Sequence, residues 1–190
     1  MSRPQITFRC FQPGDISELL RIQNDNLRIN LSKTDQADGY LSVAFSAQQF
    51  KEMHNEIPIV VADLGSGLGG YLCSSSMQYS SRVPLLAYMI GLFKETTYRN
   101  RPLDAFRLFV YGPVCIDRAW RGRGLLNGMF AALMGRVAGR FDVGTLFISS
   151  SNPRSLHAHT RHLGMQKLRS FTFDENDFNL LAFDVPERLR

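Results

Sequence analysis

Hydrophobic residues recur along the chain with two periods, and the switches between them predict a sequence of elements. Ile6 to Phe11 alternates with period two and predicts a strand. Pro13-Gly14-Asp15 then gives a turn whose aspartate is expected to cap a helix carrying Ile16, Leu19, Leu20, Gln23 and Leu27. Residues 30–40 are polar and read as loop. Ser46-Ala47-Gln48-Gln49 has the form of a capping box and predicts a helix to about Asn55. Ile57 to Leu64 and Leu68 to Met77 read as two antiparallel strands joined by Gly65-Ser66-Gly67, where glycine supplies the positive φ of a tight hairpin.

The second half repeats the logic after an excursion. In Tyr79 to Asp104, Pro84 opens a predicted helix to about Lys94, followed by a polar loop over residues 95–101. Ala105 to Ile116 predicts a long strand broken or bulged near Gly112-Pro113, because proline donates nothing to a ladder. A glycine-rich turn, Arg121 to Gly124, then opens a helix with Leu125, Leu126, Met129, Phe130, Leu133 and Val137 at helical spacing. Thr145 to Ser149 predicts a buried strand. Asn152-Pro153-Arg154-Ser155 starts a helix ending near Leu163-Gly164, and two strands, about Met165 to Phe173 and Phe178 to Val185, close the chain.

Length and composition narrow the class. A chain of 190 residues, 44% hydrophobic and 21% charged, suits one domain with a real core, expected over residues 4–186. No run approaches the length of a membrane span and Met1 to Cys10 lacks the apolar stretch of a secretory signal, so a cytoplasmic address is expected. Cys10, Cys73 and Cys115 are odd in number and widely spaced, which predicts three buried thiols and neither a disulfide framework nor a metal site. His157, His159 and His162 do not supply zinc spacing either. The chain carries +5, but Arg99 to Arg169 holds 12 basic residues against 3 acidic ones. That basic segment points to an anionic partner: nucleic acid, an acidic membrane surface or a phosphate-bearing small molecule.

The order of strand, short link, glycine turn and amphipathic helix from Val114 to Asn127 favours the last of these. The first amides of a helix lack intrahelical acceptors and carry partial positive charge, so glycines in front of them form a pyrophosphate cradle. Arg121 and Arg123 add charge to it. Here the sequence resembles the GCN5-related N-acetyltransferase family, whose acetyl-coenzyme A loop reads Gln or Arg, two residues, Gly, one residue, Gly or Ala. Arg121, Gly124 and Leu126 stand at those positions, Leu126 in place of the small residue. Asn152 and Ser155 after the next strand, and Leu163-Gly164-Met165, extend the resemblance.

The resemblance implies an α/β domain: a central mixed, mostly antiparallel sheet flanked by helices, with two splayed central strands holding acetyl-coenzyme A and no metal. Pantetheine would pair with the backbone of Val114, Cys115 and Ile116, and the pyrophosphate would lie on Arg121, Gly122, Arg123, Gly124, Leu125, Leu126 and Asn127. Asn152 would touch the pantetheine arm, with Ser155 beside it. The implied activity is acetyl transfer, by direct attack, to a primary amine of a small molecule or peptide. The family's tyrosine acid falls on His159 counting from Asn152 and on Thr160 counting from Gly164, since this helix holds one residue more. His159, which donates a proton near neutral pH, is the catalytic candidate. For the base, a water chain, Asp104, Glu95 and Tyr111 stay open, because Thr145 to Ser151 holds no carboxylate.

Other readings are weighed beside these. Cys115 could face the thioester or pack as a small hydrophobe, and packing is preferred. Tyr79, Tyr88, Phe93 and Tyr98 form a wall of the acceptor pocket, a satellite hydrophobic cluster or a homodimer contact. Gly65 to Gly70 resembles a dinucleotide loop but leads into a strand, so it is read as a hairpin. A non-catalytic acyl-coenzyme A sensor or scaffold of the same fold is the first alternative function, and nucleic-acid binding ranks last because no basic motif is interleaved with aromatics.

Overall fold

The computed structural model describes residues 5–36 and 38–187; Pro4, the first residue of the expected domain, lies outside them. The elements are β1 (Thr7–Cys10), α1 (Ile16–Asn24), α2 (Ala47–Glu56), β2 (Val60–Asp63), β3 (Leu68–Ser76), α3 (Pro84–Gly91), β4 (Leu108–Ile116), α4 (Leu125–Val137), β5 (Val143–Ser149), α5 (Pro153–His157), β6 (Gln166–Phe173) and β7 (Asn176–Asp184). Seven strands are hydrogen-bonded in the order β1-β2-β3-β4-β5-β7-β6. The β4–β5 pairing is parallel, whereas β1–β2, β2–β3, β5–β7 and β6–β7 are antiparallel. The fold is therefore mixed α/β with a mostly antiparallel sheet. Among the described residues no helix is long and apolar enough to cross a membrane.

The chain divides into two compact units, the first made of the residues up to Ser74 with Gly112–Arg136, the second of Ser75–Tyr111 with the residues from Val137 on. In the first, α1 buries Leu19 and Ile22 and α2 buries Phe50 and Met53, with Phe50 edge-on to Tyr71 of β3 at 5.4 Å. The capping box is formed: Ser46 accepts from the Gln49 amide at 3.2 Å and the Gln49 side chain accepts from the Ser46 amide at 2.8 Å. Asp15 does not cap α1. Its carboxylate accepts from the Gln12 amide at 2.7 Å and pairs with Arg9, which also pairs with Asp63 at 2.6 Å. The ion pair with Arg9 chiefly holds the Asp15 carboxyl below its ordinary range. Helix α1 stops at Asn24, so Leu27 lies outside it.

The hairpin between β2 and β3 forms as expected, but its glycines reach further. A Cβ on Gly70 would lie 2.7 Å from the Cys115 carbonyl oxygen, so a bare backbone at Gly70 lets β3 approach the later half of β4. The Asp117 amide closes that approach by donating to the Gly69 carbonyl at 2.9 Å.

In the second unit, β5 pairs along its whole length with β7, from Val143↔Asp184 to Ser149↔Phe178. The β6–β7 hairpin turns through Asp174 and Glu175, both at positive φ, in a turn that the sequence does not mark with glycine. The excursion is more ordered than its sequence suggests. It comprises a one-turn helix at Met77–Ser80, then α3, two 3-10 turns and a two-residue ribbon pairing Thr97–Tyr98 with Arg101–Pro102. Its Met89, Phe93, Tyr98 and Leu103 join Leu180 and Ala182 in one apolar core. Tyr88 packs on Phe171 and Phe173 at 6.0 and 5.4 Å. Of the four aromatics singled out in the sequence, Phe93 and Tyr98 thus belong to this core and Tyr88 packs on its Phe171.

Candidate active site

The turn in front of α4 is built by two glycines in the left-handed region, Gly122 at φ +74° and Gly124 at φ +82°. An L side chain rarely adopts either angle, so the loop owes its path to these residues. A 3-10 turn over Arg118–Trp120, capped by the Asp117 side chain accepting from the Ala119 amide at 3.0 Å, delivers the chain to them. The first closed turn of α4 is the bond from the Gly128 amide to the Gly124 carbonyl, 3.1 Å. The amides of Leu125, Leu126 and Asn127 therefore precede any intrahelical acceptor. Leu125 is buried, Leu126 half-buried and Asn127 exposed, so the helix start is anchored on one side and open on the other.

The two arginines of this loop do different things. Arg121 turns inward. Its guanidinium donates to the Asp38 carbonyl at 2.7 Å, to the Gly39 carbonyl at 3.4 Å and to the Asn26 side-chain oxygen, while its Nε donates to the Ile116 carbonyl. Asn26 is itself buried and donates to the Ile22 carbonyl at 2.7 Å. The side chain of Arg121 therefore ties Asn26, Asp38 and Gly39 to the loop, and its guanidinium is engaged within the fold. Arg123 is exposed and lies over the Trp120 ring at 4.8 Å, where its charge is free to meet an anion. No sequence signal marks Asn26, which lies 95 residues from its partner.

Of the strand residues, Cys115 is buried, and Val114 and Ile116 are half-buried. The Cys115 thiol donates to the Ile22 carbonyl at 3.6 Å, and burial pushes its pKa up to about 12. It is a packing residue, not a nucleophile. Cys73 is likewise buried and its thiol shifted up. Cys10 departs from the expected burial: it is half-buried and accepts from Arg136 Nε at 3.1 Å.

The candidates of the second unit lie on α5 and its continuation. Asn152 is buried and caps α5, its side-chain oxygen accepting from the Ser155 amide at 3.2 Å. Beyond His157 the helix widens into a π turn over Ala158–His162, closed by the Leu163 amide donating to the Ala158 carbonyl at 3.3 Å. The widened turn accommodates the extra residue between Asn152 and Gly164, since an i→i+5 bond spans one residue more than an α-helical one. Gly164, at φ +68°, ends the segment.

Within that turn His159 is buried and Thr160 half-buried. Thr160 donates its hydroxyl to the Leu156 carbonyl at 2.8 Å. His159 Nδ1 lies 2.8 Å from the Ser155 carbonyl, which only accepts, so Nδ1 carries the proton. Burial is the main influence on the ring and holds its pKa below the ordinary value, against the raising effect of the Ser155 carbonyl. The neutral ring then presents a bare lone pair at Nε2, which is buried and has no hydrogen-bond partner among the described residues. At neutral pH the ring is therefore uncharged, with its one proton held on Nδ1. Its ring meets Tyr111 of β4 edge-on at 5.6 Å, and burial raises the Tyr111 phenol above its ordinary range.

Three cations of the basic segment are held in ion pairs. Arg99 pairs with Asp184, Arg107 with Asp142 at 2.6 Å, and Arg118 with Asp35. Asp184 and Asp35 lie outside the segment, so folding supplies counter-charges that a linear count misses. Among the described residues no group of three or more His, Cys, Asp or Glu is placed to hold a metal.

No family model matches the sequence, and no curated protein matches it. Solved structures do. An N-acetyltransferase from Staphylococcus aureus Mu50 superimposes with a TM-score of 0.62 at 16% identity, covering 96% of this chain and 99% of its own. Ribosomal-protein-alanine N-acetyltransferase from Brucella melitensis gives 0.61 at 18%, covering 94% and 99%. The yncA protein of Salmonella typhimurium, solved with its cofactor acetyl-CoA, gives 0.61 at 13%, covering 97% and 96%. At such identities the likeness establishes the fold: this chain has the fold of the GCN5-related N-acetyltransferases.

Proposed function

We propose that the chain is a cytoplasmic, acetyl-coenzyme A dependent N-acetyltransferase that acetylates a primary amine of a small molecule or peptide. The observation that carries this reading is the pair of left-handed glycines, Gly122 and Gly124, in front of the open amides of Leu125, Leu126 and Asn127. These groups fit a pyrophosphate: donors converge where no Cβ intrudes, and the helix dipole favours negative charge. The fold shared with the acetyl-CoA-bound Salmonella protein supports it.

Bound acetyl-coenzyme A supplies an activated thioester. In the first unit, the Arg121–Asn127 backbone binds the diphosphate, Arg123 adds charge from the Trp120 ring, and Val114, Cys115 and Ile116 offer backbone groups to pantetheine. In the second, Asn152 and Ser155 hold the start of α5, and Asn152 serves the pantetheine arm. His159 is held neutral, its proton fixed on Nδ1 by Ser155 and its Nε2 buried, so the proton of the incoming ammonium leaves through a water chain, and the coenzyme A thiolate takes up a proton from water as the C–S bond breaks.

A non-catalytic acyl-coenzyme A sensor is the second reading. It is favoured by the sealing of His159 Nε2 from solvent and by the absence of a carboxylate between Thr145 and Ser151. Coenzyme A release, measured with a panel of amines, separates the two. Acceptor-dependent release supports the enzyme; tight acetyl-coenzyme A binding without release under any amine supports the sensor.

A further inference from the structure

The excursion between β3 and β4 has no task in acetyl transfer as proposed, yet it encloses a cavity of about 370 Å³. Its apolar lining comes from Met77, Ile90, Phe93, Phe106 and Leu108, of which Phe93 and Leu108 are buried. That volume lies within the range of small-molecule sites. Two charged side chains, Lys94 and Asp104, complete the lining, and both are exposed, so the charges mark the outer part and the apolar groups the floor.

These two residues stand on separate 3-10 turns, Phe93–Glu95 and Leu103–Ala105. The turns are bound to each other through Thr96: the Leu103 amide donates to its carbonyl at 2.8 Å, and its hydroxyl donates to the Leu92 carbonyl at 2.7 Å. The backbone turns that carry Lys94 and Asp104 are therefore held together through Thr96. Neither side chain makes a hydrogen bond or ion pair with any described residue, including each other. Their neighbour Arg101 is engaged, donating to the Ala105 carbonyl at 3.1 Å and lying over Phe106 at 4.8 Å. The cavity thus presents one free cation, one free anion and an apolar floor.

We infer that this cavity binds an α-amino acid zwitterion with an apolar side chain, its ammonium on Asp104, its carboxylate on Lys94 and its side chain on the floor. A neutral apolar molecule would leave both charges to water, and a singly charged one would use only half of the site. Ion pairs in so exposed a setting contribute little each, so binding is weak, and its selectivity rests on both charges acting together. The proposal does not depend on acetyl transfer.

The test is two-dimensional NMR of the full chain, without coenzyme A, titrated with L-leucine, L-methionine and L-phenylalanine, and with their N-acetyl and carboxamide forms. Saturable shifts confined to the amides around Phe93 and Leu108, about two- to fivefold weaker for each blocked form, are expected. Asp104→Asn should abolish the preference for a free ammonium while keeping that for the carboxylate, and Lys94→Gln should do the reverse. Both changes are at exposed positions, and unchanged spectra elsewhere confirm that the fold is kept. Equal affinity for free and blocked forms, or no saturable shift with any of the three, would overturn the inference.

Discussion

The Arg121–Asn127 turn and the Asn152–Gly164 helix are both candidates for the same chemistry, and they are built in opposite ways. The first is an exposed backbone turn: two left-handed glycines shape it, the amides of Leu125, Leu126 and Asn127 have no intrahelical acceptor, and Arg121 is committed to Asn26 and three carbonyls. The second rests on two buried side chains, Asn152, which caps the start, and His159 in the π turn, whose Nε2 lone pair has no partner among the described residues. Backbone sites tolerate side-chain change but not a change of φ. Side-chain sites behave the other way round.

The largest effect should therefore come from Gly124→Val. Forcing a β-branched residue to φ +82° costs about 1–3 kcal/mol, and a turn that relaxes instead re-aims the amides. Acetyl-coenzyme A affinity should fall at least about tenfold in calorimetry, with the thermal midpoint of the free chain falling by about 2–4 °C for each kcal/mol of strain that is kept. A valine variant that binds normally would show that the turn is not the cradle.

Next in size is Arg121→Lys. Lysine cannot reach Asp38, Gly39 and Asn26 together, so a buried Asn26 oxygen loses its donor. We expect a stability loss of about 1–3 kcal/mol in urea titration, with cofactor affinity at low temperature nearly retained. The reverse pattern, intact stability and lost affinity, would return Arg121 to the phosphate.

The contrast between the two arginines shows what the sequence could and could not disclose. Glycine turns, the Ser46–Gln49 box and the Asn152 cap are local, so neighbouring residues suffice to read them. The seven strands followed from period-two runs and turn residues in the same way. What stayed hidden depends on partners far along the chain. Asp15 reads as a helix cap until Arg9 and Asp63 are brought to it; Arg121 reads as a phosphate ligand until Asn26 arrives; Cys10 reads as core until it meets Arg136. The role of His159 was hidden for another reason. Its position suggested a donor, but which nitrogen carries the proton is fixed by the Ser155 carbonyl, and its neutrality by burial. The Asp174-Glu175 turn, left-handed without glycine, left no signal at all.

A smaller effect should appear in pH dependence. The unfolded imidazole takes a proton near its ordinary value of 6.5, while the buried His159 resists it, so below that pH the unfolded chain binds more protons. Its contribution to stability is complete above pH 6.5 and declines as the pH falls toward the folded value, by at most about 1.4 kcal/mol per pH unit. His54, also shifted down by burial, slopes the same way. The difference between the parent and His159→Phe in urea titrations from about pH 8 to about pH 5 isolates His159. Parallel curves would mean that its ring charges as easily in the fold as outside it.

The smallest effect is expected from Arg123→Gln. An exposed charge over Trp120 should strengthen cofactor binding only about two- to fivefold at low salt, with the difference vanishing as salt is raised. A salt-independent loss would mean a direct, desolvated contact.

The central claim is that the turn before α4 receives a coenzyme A diphosphate. Titration of the purified chain with acetyl-coenzyme A, followed by calorimetry and by the fluorescence of Trp120, its single tryptophan, tests it most directly. The prediction is saturable micromolar binding, with a Trp120 signal, held much more tightly than acetyl-pantetheine, which lacks the diphosphate. No saturation, or equal affinity for the two ligands, would contradict it.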